Sequence, residues 1–247
     1  MIKLINNFSE YDFSAFENDV FFRRIYSDYL TLSMFDNALF YVCEDDNKIS
    51  AVLSKTGSNI TVSCIDDSVC EEVNEFAKII GFDKILCDKS VSEFFDGVKL
   101  SGDILKINNK SDFRCKAKQL YTENLKDMYL LLKDNFDLCI GFPEWFVDMS
   151  YRLRHDAAKF YGLYEDNKLV SGAFSLFESE NSAIISSVVT DVDYRCQGYG
   201  EDVVKSLLCE NKNKDVYVFT ENCKITKWYE KMGFMPDKMW SEIENVL

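Results

Sequence analysis

Two prolines, Pro143 and Pro236, and one histidine, His155, are all that the 247 residues hold of those types. So little proline excludes a Pro-rich linker or recognition tract. A single imidazole leaves a Cys/His zinc site almost nothing to recruit. The nine cysteines form no C-x-x-C pair, so reduced, mostly buried thiols are expected. No apolar run approaches the ~20 residues of a membrane span. The start, MIKLINNFSEYDF, lacks the apolar stretch of an export signal, which makes the expected location cytoplasmic. Basic residues are in deficit, 28 against 42 acidic, for a net charge of −14. Such a field repels phosphate backbones and attracts cationic small molecules, so no nucleic-acid partner is expected. What is present is core material: 47% of the residues are hydrophobic, enough for one large domain or two smaller ones.

An internal similarity divides the chain. Phe40-Tyr41-Val42-Cys43-Glu44-Asp45-Asp46-Asn47-Lys48-Ile49 aligns without a gap on Phe160-Tyr161-Gly162-Leu163-Tyr164-Glu165-Asp166-Asn167-Lys168-Leu169. Each copy is an apolar strand, an acidic turn and a second strand (49–55 and 169–177), which reads as a β-hairpin. A third strand follows in each half, at 59–64 and 183–190. Then come helix, strand, helix and strand: 71–80, 83–87, 91–97 and 103–107 in the first half. In the second half the same series is 199–211, 215–220, 223–232 and 234 onward. Helical segments precede each hairpin, at 21–29 in one half and at 123–136 and 144–157 in the other. The boundary is placed at Ser111-Asp112, giving domains 1–112 and 113–247. Elements mixed in this order indicate an α+β layer architecture used twice.

The halves differ between the third strand and its helix. The second half reads Thr190-Asp191-Val192-Asp193-Tyr194-Arg195-Cys196-Gln197-Gly198-Tyr199-Gly200. Glycines there permit positive φ and close approach of an anion to the backbone. A helix starting at Tyr199 aims its free N–H groups and positive dipole end into the loop, and Arg195 adds a planar charged fork suited to phosphate. The loop lacks the Gly-Lys-Ser/Thr of a Walker motif and the three glycines of a dinucleotide fingerprint. The first half instead has Cys64-Ile65-Asp66-Asp67-Ser68-Val69-Cys70-Glu71, with no glycine, no basic residue and three carboxylates. Residues 1–112 hold 11 basic and 20 acidic side chains, net −9, against −5 for 113–247.

Arg195-x-x-Gly198-x-Gly200 resembles the Gln/Arg-x-x-Gly-x-Gly/Ala pyrophosphate loop of the GNAT superfamily of acetyltransferases. Asn222 and, seven residues on, Tyr229-Glu230-Lys231-Met232-Gly233-Phe234 resemble that family's Asn…Tyr-x-x-x-Gly-Phe segment. The likeness covers roughly 159–234. It implies two GNAT-like acyl-CoA acyltransferase domains, each a mixed, mainly antiparallel sheet flanked by helices, with two central strands splayed around acetyl-CoA. The backbone of Val188, Val189 and Thr190 would then pair with the pantetheine arm. The N–H groups of Cys196, Gln197, Gly198, Tyr199 and Gly200, with Arg195, would hold the pyrophosphate. Asn222 would touch the cofactor arm from the other side, and Tyr229 would protonate the departing thiolate.

Two features depart from the family pattern. The third strand, 183–190 (AIISSVVT), carries no carboxylate base, which leaves a water chain or Glu221 as the proton acceptor. Glu201 follows the last loop glycine, where a small or hydroxylic residue would suit phosphate better. The first half reads as a degenerate copy that scaffolds the site and lines an acceptor wall. The resemblance thus implies acetyl transfer to an amine of a small molecule or peptide, by direct attack in a ternary complex. The alternative is a non-catalytic tandem module that binds acyl-CoA or a protein partner. No metal, nucleic acid or membrane is called for, and nothing specifies an oligomeric state. Elsewhere, His155 reads as a surface helix residue, Arg152 and Arg154 as solvated charges, and Trp145 and Phe146 as aromatics buried at a helix start.

Overall fold

The structure, a computed structural model, describes every residue except 47, 109–112, 137, 139, 246 and 247. Asn47 of the repeated hairpin, Cys139 and the expected boundary at Ser111-Asp112 therefore lie outside the described residues. In the first half the elements are β1 (Ile2–Leu4), α1 (Val20–Leu32), β2 (Ala38–Asp45), β3 (Lys48–Thr56), β4 (Asn59–Cys64), α2 (Cys70–Ile80), β5 (Lys84–Asp88), α3 (Lys89–Ser92) and β6 (Val98–Asn108). In the second they are β7 (Lys118–Leu120), α4 (Leu125–Asn135), α5 (Phe142–Arg154), β8 (Ala158–Glu165), β9 (Lys168–Leu176), β10 (Ser182–Thr190), α6 (Tyr199–Glu210), β11 (Asp215–Thr220), α7 (Cys223–Glu230) and β12 (Met235–Glu244). No helix among the described residues is long and apolar enough to cross a membrane.

The repeated hairpin is real down to its irregularity. Asp45 pairs with Lys48 and Glu165 with Lys168, and each hairpin slips register at the same place, between Cys43 and Glu44 and between Leu163 and Tyr164. A β-bulge recurring at matched positions is a shared structural feature, since a bulge re-aims every side chain beyond it. One expected element differs. The helix anticipated at 91–97 is the single turn α3, which begins earlier because the Asp88 carboxylate accepts the Ser90 N–H at 3.0 Å. The chain then turns Phe95 into the core.

Two compact units result. One comprises Met1–Ile104, Thr220–Lys227 and Pro236–Leu247; the other comprises Leu105–Phe219 and Trp228–Met235. The units do not follow a single cut near residue 112, because each completes its sheet with chain from the other half. The strand order in the first is β1-β2-β3-β4-β5-β12, then the start of β6. In the second the end of β6 is followed by β11-β10-β9-β8-β7. β12 runs antiparallel to β5 with Ser241 opposite Cys87 and Ile243 opposite Ile85. In the second unit Lys106, near the end of β6, bonds Asp215 of β11 at 2.9 Å. The pairs β4–β5 and β10–β11 are parallel; β1–β2, β2–β3, β3–β4, β5–β12, β7–β8, β8–β9 and β9–β10 are antiparallel.

Alternation along the strands builds a core on each sheet face. In the first unit Leu53, Val62 and Ile85 pack with Val73 of α2, while Phe40 and Val52 pack with Ile25 of α1. In the second, Val216 and Val218 pack with Val203, Val204, Leu207 and Leu208 of α6. Phe160 and Phe174 pack with Leu125 and Met128 of α4. Those four α6 residues are wholly buried, each stabilising the fold by about 1.5–3 kcal/mol. That burial fixes α6 on the sheet and fixes where its N-terminus points.

Candidate functional site

The site lies at the end of β10 in the second unit. β10 pairs with β11 only from Ser182–Asp215 to Ile185–Val218, although both strands run on. Past Ile185 the two part. Along the same stretch the register of β10 against β9 shifts between Ser186 and Val189, and Ser187 has φ +54°. A left-handed residue inside a strand kinks it and ends regular pairing. Beyond the kink β10 keeps β9 on one side, where Asp191 donates its N–H to Val170 O at 2.9 Å. By the alternation of antiparallel pairing the backbone groups of Val188 and Thr190 face the opposite edge, where the Thr190 carbonyl accepts Arg195 Nε. Sequence reading did not single out Ser187. The signal was Ser186-Ser187 interrupting an otherwise β-branched run.

The loop that follows is held by short-range polar contacts. The Asp191 carboxylate accepts the Asp193 N–H at 3.0 Å and an ion pair from Lys168 at 2.6 Å. Lys168 and that N–H together hold this carboxyl below its usual range. Cys196 has φ +60° and Gly198, the residue before α6, φ +90° with ψ −6°. A Cβ on Gly198 would meet nothing within 4 Å, so glycine is required there by backbone angle and the space beside it is open. At Gly200 a Cβ would come within 3.1 Å of Thr190 Oγ1, so the first turn of α6 lies tight against the end of β10. Cys196, Gln197 and Gly198 are exposed; Tyr199 and Gly200 are half-buried. The result is an exposed backbone concavity at a helix N-terminus.

Arg195 is exposed, its Nε donating to Thr190 O at 3.0 Å and a terminal nitrogen to Asn135 Oδ1 at 2.6 Å. These bonds tether the guanidinium beside β10 and the loop, so sequence reading missed Asn135, at the end of α4, as its partner. Glu201 does not stand alone at the helix start, since it pairs with Lys205 one turn on at 2.5 Å. Tyr199 donates its hydroxyl to Glu165 at 2.9 Å, and that carboxylate raises the phenol above its ordinary pKa.

Tyr229 is 5% exposed, its ring edge-on to Trp228 at 4.8 Å and to Phe234 at 5.3 Å. Burial alone pushes its phenol well above the ordinary value, so it carries its proton throughout the neutral range. Glu221 and Asn222 group with the first unit. Glu221 is exposed, and Asn222 Oδ1 accepts the Lys224 N–H at 2.8 Å, capping α7.

Other expectations meet mixed outcomes. His155 is exposed at the end of α5, its ring 4.2 Å from that of Tyr151. Arg154 is exposed, while Arg152 is buried, ion-paired with Asp148 at 3.0 Å and set over the Phe177 ring at 5.1 Å. That corrects its reading as a solvated charge: the ring covers the planar guanidinium and Asp148 compensates its charge. The expectation of nine reduced thiols also fails at one pair, because Cys115 and Cys209 form a disulfide across 94 residues of chain. Their neighbours bring them together: the Lys116 and Ala117 N–H groups donate to Ser206 Oγ of α6 at 3.1 and 3.0 Å. Trp145 and Phe146 are half-buried at the start of α5, as read.

Two parallel strands that part, and a glycine-bearing loop that leads into a helix beside them, accord with the GNAT fold of the solved structures that this chain resembles. Residues 156–236 match the family model of the acetyltransferase (GNAT) domain. The fold as a whole is similar to a GCN5-related N-acetyltransferase from Kribbella flavida, 10% identical, covering 92% of this chain and 95% of that one at a TM-score of 0.63. A GNAT-family acetyltransferase from Colwellia psychrerythraea, 11% identical, matches over 100% of both chains at 0.60. A tandem GNAT protein from the clavulanic acid biosynthesis pathway, 9% identical, matches over 99% and 98% at 0.58. At such identities the likeness is one of fold. No curated protein matches the sequence.

Proposed function

We propose that this protein is an acetyl-CoA-dependent N-acetyltransferase whose donor site is formed by the second half, with the first half a scaffold that lacks a phosphate loop. The observation that carries this reading is the exposed left-handed loop at Cys196–Gly198, set at the N-terminus of α6 beside the open edge of β10. A backbone concavity with Arg195 beside it suits a pyrophosphate. The edge of β10 at Val188, turned away from β9, suits an amide of a pantetheine arm, with the Thr190 carbonyl beside it already accepting Arg195 Nε. In the reaction a neutral amine attacks the thioester carbonyl carbon and forms the C–N bond. The C–S bond breaks as the tetrahedral adduct collapses, and the leaving thiolate takes the Tyr229 proton. The amine's proton passes to water.

The acceptor is an amine of a small molecule or peptide, favoured over an anion by the net charge of −14. A screen of polyamines, aminoglycosides, amino acids and peptide N-termini, with thiol release as the readout, tests it. Turnover with one amine class, a KM that rises with salt, and calorimetric binding of one CoA per chain are expected. No thiol release with any class, or two equal CoA sites, would overturn it.

A further inference from the structure

The first unit carries a solvent-open cavity of about 440 Å³ that the proposed reaction does not use. It is built from one stretch of chain, residues 7–29. Six aromatic rings wall it: Phe8, Tyr11, Phe13, Phe22, Tyr26 and Tyr29. They brace one another, with ring centroids at 4.2 Å for Phe8 and Tyr29, 5.0 Å for Phe8 and Phe13, and 5.1 Å for Phe13 and Phe22. The wall runs from core to surface: Phe8 and Phe22 are 4% and 7% exposed and join the core cluster of Phe16, whereas Tyr26 is 38% exposed.

The charge on the lining has one sign. Asp12 and Glu17 border the cavity, and no Lys, Arg or His does. Arg23, in the same stretch, turns its Nε to the Glu17 carbonyl oxygen at 2.8 Å. The Asp12 carboxylate is held by the Ser14 N–H at 3.0 Å. Aromatic faces present the negative side of their quadrupole, and two carboxylates add to the same potential. A bare ammonium or a metal ion would lose a strongly held water shell against such walls. An alkylated ammonium is weakly hydrated and buries its methyl groups against the rings. The volume lies in the range of small-ligand pockets.

We propose that this aromatic cavity is a binding site for a small organic cation with an alkylated ammonium head, distinct from the acetyl-CoA loop. The proposal is independent of the acetyl-transfer reading, because binding is measured with no acetyl-CoA present. The full chain is titrated calorimetrically with choline, with dimethylbutanol as its uncharged carbon isostere, and with potassium chloride. Choline is expected to saturate one site per chain, with the isostere at least ~tenfold weaker and potassium silent. Tyr26→Ala and Tyr11→Ala should each weaken choline about three- to tenfold, and Asp12→Asn with Glu17→Gln should flatten its salt dependence. Equal binding of choline and its isostere, or no binding of choline, overturns the proposal on the unaltered protein. Choline affinity unchanged in a folded Tyr26→Ala chain overturns it as well.

Discussion

After β4 and after β10 the chain leaves the sheet in the same way. Ile65 donates its N–H to Ser50 O at 3.0 Å, and Asp191 donates to Val170 O at 2.9 Å. An aspartate then caps the next turn, Asp66 to the Ser68 N–H and Asp191 to the Asp193 N–H, each at 3.0 Å. Parallel pairing is confined to the strand starts in both halves, ending at Thr61–Leu86 and at Ile185–Val218. From there they diverge. β4 stays in register with β3 from Asn59 to Cys64, whereas β10 is kinked at Ser187. The first turns of α2 and α6 each hold two carboxylates, Glu71 with Glu72 and Glu201 with Asp202, but the first loop reaches its helix with no left-handed residue. The second passes through two left-handed residues, with Arg195 beside them. The shared frame makes the fold. The kink, the left-handed loop and Arg195 are what set the second helix start apart from the first, and they are the features an anion would require.

The largest expected effect tests whether the second half alone carries the chemistry. Tyr229→Phe keeps the ring and its contacts while removing the proton, so turnover should fall roughly 10²–10⁴-fold with CoA affinity nearly unchanged. Wild-type turnover in this variant would assign the acid elsewhere. Next, Gly198→Asp forces a side chain into a φ of +90° and adds a charge to the concavity. CoA affinity measured by calorimetry should drop by about 100-fold or more. Asp67→Ala in the first loop should leave CoA affinity unchanged, and a comparable loss there would erase the contrast between the loops.

Smaller effects sharpen the contrast. Arg195→Ala removes one charged fork and should weaken CoA about tenfold, while Asn135→Ala should change affinity less than about threefold. The smallest concerns pH. Tyr229 is raised by burial when folded, so the unfolded chain releases this proton first. Its stabilisation is therefore whole below pH ~10 and lost above it, at up to about 1.4 kcal/mol per pH unit. Unfolding of Tyr229→Phe followed from pH 9 to 11 should show a shallower decline than the unaltered chain. Parallel declines would mean that other groups dominate.

Much of this was legible in the amino-acid order. Both hairpins, the third strands, α2 and α6, and the glycine loop announce themselves because apolar periodicity, turn residues and Arg195-x-x-Gly198-x-Gly200 are local signals. The edge strands β1 and β7 escaped because three residues carry no period. The onset of α3 escaped because one side chain, Asp88, starts it.

The order of residues by itself determined a repeated α+β frame and which half holds an anion-suited loop, since both depend on neighbours within a few turns of chain. Tertiary structure decided the rest. It sent β12 to β5 and the end of β6 to β11, buried Arg152 over Phe177, joined Cys115 to Cys209 and tied Arg195 to Asn135. Each is a pairing across the fold, selected by which surfaces remain to be covered once the local elements have formed, and no spacing along the chain encodes it.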